Sequence, residues 1–157
     1  MLTDILELIV VDKRTLKIKF TMILSIPHDG KVMRMALSHN EKLLAVLRFN
    51  QHIHIFNIHT QEQYQHLQPT PFLKYTAIAF LDPKNEYLLA NATEHGKIVL
   101  SPYNAIPEKN PKVLSHHTKG VNALAVVRKE YLVSCGEDMV AAIWLLPFNI
   151  LKHEVKL

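Results

Sequence analysis

The chain has 157 residues, 48% of them hydrophobic and 20% charged, with a formal net charge of +4 when histidine is neutral. That composition excludes a disordered tail, and the length suits one domain with a real core. No apolar run reaches the roughly 18 residues of a membrane helix, and a single cysteine, Cys135, excludes an internal disulfide or a multi-cysteine zinc site.

The first residues, Met1 to Asp4, lack the basic segment of a signal peptide, and Glu7 interrupts the apolar residues that follow. Leu6 to Asp12 and Lys17 to Leu24 are the first two predicted strands. A regular pattern follows. Val32 to Leu37, Tyr75 to Phe80 and Val121 to Val126 are partly alternating apolar segments. Each runs into a polar corner: Ser38 to Lys42, Asp82 to Glu86, and Arg128 to Glu130. A second apolar run succeeds each corner: Leu43 to Leu47, Tyr87 to Ala90, Tyr131 to Val133. Short runs bounded by turn residues predict hairpins. A second turn (Asn50-Gln51, Glu94 to Gly96, Gly136 to Asp138) leads into a third run: His52 to Phe56, Lys97 to Leu100, Met139 to Trp144. Leu145 to Leu157 has room for one last strand.

Val11, Phe56, Ser101 and Trp144 hold comparable places near the ends of the third runs, separated by 45, 45 and 43 residues. A period near 45 built of four short strands is the signature of propeller blades. Such strands are apolar on both faces because both faces pack on neighbours. Leu43 to Leu47 therefore need not be a helix. The expected fold is all-β, with four-stranded antiparallel blades and an incomplete propeller. The expected divisions are 1–25 for the end of one blade, then blades at 26–68, 69–114 and 115–157. About three and a half blades fall short of the 4–8 of closed propellers. A fragment of a longer chain, a ring-closing dimer and a strained small ring would each account for this. The fragment is favoured, because the chain opens in mid-blade.

The last unit, His117 to Val121, Ser134 to Asp138, then Ile143-Trp144, resembles the WD40-repeat family. His116 stands where the family has Gly, and Leu145 where Asp usually follows Trp. The unit from His28 to Asn57 has Phe56 at the Trp position and Asn50 at the turn Asp position. The middle unit has Pro71, His95 and Ser101 at the His, Asp and Trp positions. The resemblance implies a structural tetrad of His117, Ser134, Asp138 and Trp144, linked by hydrogen bonds. It also implies that one rim, formed by the turns, binds peptides. By position that rim holds Lys31, Arg48, Asn50, Lys74, Tyr75, His95 and Lys119, with Asp29, Glu94 and Glu137 among them.

Other chemistries find less support. Ser134, His117 and Asp138 could suggest a hydrolase triad, but Val133-Ser134-Cys135 lacks the glycine-flanked elbow of that nucleophile. His52 and His54 share a strand face, yet zinc needs three or four ligands and the spacing offers no third. Cys135 is expected to act as a small buried hydrophobe. Glycines 30, 96, 120 and 136 all fall at strand turns, where positive φ would explain them, and none forms a phosphate loop. No enzyme activity, metal or cofactor is expected. The leading reading is an intracellular scaffold, cytoplasmic or nuclear, whose partners are proteins or peptides. A longer chain or a second copy would complete the ring. The alternative is a propeller that binds nucleic acid or anionic lipid through its mildly basic surface. Nucleic acid is disfavoured, because no basic run reaches five residues and aromatics make up only 8%.

Overall fold

The computed structural model describes residues 3–11, 14–27, 30–81, 88–103, 112–146 and 150–157. Asp12, His28, Asp29, the corner at 82–86 and Tyr87 lie outside the described residues. Fourteen strands and no helix occur among the described residues. A hairpin of β1 (Thr3–Val11) and β2 (Ile18–Pro27) comes first. Three four-stranded antiparallel sheets follow. The first joins β3 (Val32–Leu37), β4 (Leu43–Arg48), β5 (Ile53–Asn57) and β6 (Gln63–Leu67). The second joins β7 (Tyr75–Leu81), β8 (Leu88–Thr93), β9 (Lys97–Pro102) and β10 (Lys112–Ser115). The third joins β11 (Val121–Val127), β12 (Tyr131–Gly136), β13 (Val140–Leu145) and β14 (Ile150–Lys156). Each is an up-and-down meander in which consecutive strands pair. The all-β, WD40-like blade architecture expected from the spacing is the one observed.

The repeat extends to register. Leu44 pairs with Phe56, Leu89 with Ser101 and Leu132 with Trp144. The first strand of each sheet carries a bulge at the same place, skipping Met33, Thr76 and Asn122. The turn between second and third strands closes identically. Gln51, Gly96 and Met139 donate their N–H to the carbonyls of Arg48, Thr93 and Gly136, and all three have positive φ. Only the middle blade uses glycine there. Gly120 and Gly136 are not at positive φ, contrary to the expectation for all four glycines. Close packing explains them instead. A Cβ on Gly136 would come within 2.8 Å of both His117 Nδ1 and Asp138 Oδ1.

The sheets stack face to face, with the first strand β7 packed between β3 and β11. One buried cluster, including Leu47, Ile53, Tyr75, Phe80 and Leu89, fills the space between the first and second sheets. Another, including Leu81, Ile98, Leu100, Leu132 and Trp144, fills that between the second and third. β7 is consequently buried almost throughout, whereas β12 alternates between buried and half-buried residues because the third sheet is covered on one face. Its other face has a shallow apolar hollow, lined by Val127, Tyr131, Val133 and Ile143 with Lys152 and His153.

Candidate functional site

The turns that join the blades assemble a rim, and one backbone bond builds it three times. Phe49 N–H donates to Lys31 C=O, Glu94 N–H to Lys74 C=O, and Glu137 N–H to Gly120 C=O. Each bond ties the turn after a second strand to the segment entering the first strand of the same blade. Further bonds join blade to blade. Gln51 Oε1 accepts from the Tyr75 backbone N–H at 2.6 Å, and Thr76 Oγ1 donates to the Val121 carbonyl. Gly96 packs against the backbone carbonyls of His117 and Lys119, where any Cβ would collide. The rim is thus a continuous strip of turns on a rigid support, the arrangement in which loops commonly carry recognition.

Lys31, Asn50, Lys74, His95 and Lys119 are exposed on this strip, as are Glu94 and Glu137. Lys74 Nζ lies 3.1 Å from Glu94 Oε2, so its charge is offset locally. Two rim expectations need correction. Arg48 is buried, with Nη2 donating to the Gly30 carbonyl, so its guanidinium braces the loop instead of facing a partner. Tyr75 is also buried, and its hydroxyl is 2.7 Å from Thr70 Oγ1. Burial pushes the Tyr75 phenol above its usual pKa, with the Thr70 hydrogen bond opposing the shift.

Sequence reasoning missed the apolar part of the strip. Phe49 is 67% exposed beside Asn50, Phe72 is 99% exposed in the loop entering β7, and Met139 is 67% exposed at its turn. An aromatic side chain within a polar turn was the available signal.

Beneath the rim lies the set His117, Ser134, Asp138 and Trp144. Trp144 Nε1 donates to Ser134 Oγ at 3.0 Å, and Ser134 Oγ lies 2.8 Å from His117 Nε2. His117 Nδ1 lies 3.0 Å from Asp138 Oδ1. One proton arrangement satisfies every atom. The indole N–H donates to Ser134, the Ser134 hydroxyl to Nε2, and Nδ1–H to the carboxylate. Asp138 also accepts the backbone N–H groups of Thr118 and Val140. Burial by itself would raise the Asp138 pKa. The hydrogen bonds from His117, Thr118 and Val140 outweigh it and bring the value from 3.8 to about 2. The spacing matches that of a hydrolase triad, but Ser134 is 0% exposed and its hydroxyl is committed on both sides. A substrate carbonyl has no path to it in this arrangement.

The histidine candidates also find structural partners. His54 and His66 stack at 4.4 Å, and His52 Nδ1 lies 2.7 Å from His66 Nε2. His66, across the strand pair, is the neighbour the spacing did not reveal. Among the described residues no group of three or more His, Cys, Asp or Glu is placed to hold a metal. Cys135 is a half-buried free thiol on β12. Among the described residues no helix is long and apolar enough to cross a membrane.

No family model matches the chain, and no curated protein matches it. Among solved structures, a chain in a crystal structure of a mitotic checkpoint complex superposes with a TM-score of 0.72 at 18% identity. The match covers 98% of this chain and 44% of that one, so this chain spans less than half the length of its structural neighbour. The shared property is the fold.

Proposed function

We propose that the chain is a non-enzymatic scaffold that binds proteins or peptides along its rim, within an intracellular complex. The observation that carries this reading is the composition of the strip. Exposed Phe49, Phe72 and Met139 share it with exposed Lys31 and Lys119, on turns held in place by the repeated backbone bond. Apolar anchors amid scattered charge are what protein partners use, aromatic ones most of all. The closed Ser134–His117–Asp138 chain supports a structural role for the residues that most resemble catalytic ones. The structural neighbour belongs to a multi-protein assembly, which agrees with this reading. The one-sided cover of the third sheet supports a further element, from a longer chain or a second copy, packing there. The rival reading, a surface for nucleic acid or anionic lipid, is weakened by the burial of Arg48 and the pairing of Lys74 with Glu94.

Immobilised protein incubated with cell lysate tests the two. Retained proteins should survive a change from about 50 to about 200 mM salt, and should be lost when Phe49 and Phe72 are both changed to Ala. A phosphate-binding surface would behave in the opposite way, losing its ligands with salt by orders of magnitude and tolerating both changes.

A further inference from the structure

The row of sheets ends in two apolar faces. One belongs to the third sheet. Leu132, Ala142 and Trp144 join the cluster shared with the second sheet, so strand alternation turns Val133 and Ile143 the other way. A row across this outer face runs Ala125, Val133, Ile143, His153 in register. Lys152 supplies the permanent charge at its hollow. The other face belongs to the hairpin. The first sheet is buried also on the side turned from the second, at Leu44, Val46, His54 and Phe56, and β1–β2 is the described element left to cover it. The hairpin's far side is open. Glu7, Ile9 and Val11 alternate along β1 in register with Ile23, Thr21 and Ile18. All six are exposed, the four apolar ones at 47–63%. Glu7 is the charged residue among the six, and neither it nor Lys152 has an ion-pair partner among the described residues. Contiguous apolar faces of this kind mark interaction sites.

We propose that the outer face of the hairpin docks on the outer face of the third sheet in a second copy of this chain, with Glu7 beside Lys152, and that two such contacts close the pair into a ring. The two faces are alike in kind and opposite in charge. Sheet packs on sheet here as it does twice within the chain, and the charge pair sets the orientation and disfavours other pairings. The count suits closure. Each copy supplies four sheets, the hairpin and three blades, so two copies supply eight, within the range of about 4–8 for closed propellers. A head-to-tail contact forms a ring when its rotation closes, and each copy then has both ends covered. This inference rests on the reading above that a further element covers the third sheet, and it is independent of binding at the rim.

The test is sedimentation equilibrium of the full chain, alone and with two charge reversals. The wild type should have twice the monomer mass at micromolar concentration, with no larger species. Glu7→Lys and Lys152→Glu should each weaken the dimer about tenfold, because like charges then meet at both contacts. Both positions are exposed, so the variants should keep the circular dichroism of the parent. Mixed in equal amounts, the two variants should dimerise as well as the wild type, because each contact again joins opposite charges. Two third sheets packed face to face would respond to Lys152→Glu and not to Glu7→Lys, which would overturn the proposal. A monomeric wild type would leave both faces to another protein and would overturn it too, as would an open series of larger species or variants that fail to complement each other. Rim binding is judged separately by the salt and Phe49/Phe72 measurements above, so failure of one reading is not failure of the other.

Discussion

His117 Nδ1 and Asp138 Oδ1 stand 3.0 Å apart, joining the segment that enters β11 to the turn that enters β13. The carboxylate's depressed pKa makes this bond a source of acid sensitivity. A group whose folded pKa lies below its unfolded value stabilises the fold above the unfolded pKa, and loses that contribution as pH falls through the folded one. For Asp138 the window runs from about 4 down to about 2. Urea midpoints measured across this range should fall more steeply for the wild type than for Asp138→Asn. At pH 7 that variant should be less stable by about 1–3 kcal/mol, since the bonds from Thr118 and Val140 lose their charged acceptor. Parallel pH profiles would contradict the assignment.

Gly136→Ala should destabilise by about 1–3 kcal/mol, although its φ lies outside the left-handed region that demands glycine. The added carbon would meet His117 Nδ1, Asp138 Oδ1 and the Gly120 carbonyl, all within 2.9 Å. Thermal melts equal to the wild type would show that the turn has room.

Met139→Gly should act in the opposite direction. Met139 holds φ at 58° in the turn where the middle blade has Gly96, and its side chain is largely exposed. Releasing the left-handed strain should raise stability by up to about 1 kcal/mol. A drop in Tm would show that the methionine packs more than its exposure suggests.

Trp144→Ala should cost about 3–5 kcal/mol, because it empties the buried volume beside Ile98 and Leu114 and strips Ser134 Oγ of its donor. Chemical denaturation reads this directly, and a loss below about 1 kcal/mol would contradict the packing.

The repeat was legible in the sequence because each blade encodes its own strands and turns locally. Apolar runs, polar corners and the near-45 spacing mark every hairpin, and Phe56, Ser101 and Trp144 occupy equivalent places in register. Burial was harder to read. Arg48 looks like a rim cation in sequence, but the adjacent loop supplies the Gly30 carbonyl that draws it inward. Phe72 sits in a short loop whose direction no periodicity sets.

The central claim is that three sheets of equal register stack as blades. Cross-strand NOEs test it most directly. Backbone contacts are expected for Leu44 with Phe56, Leu89 with Ser101 and Leu132 with Trp144, one pattern repeated three times. Helical contacts within Leu43 to Leu47, or a different register in any one sheet, would contradict it.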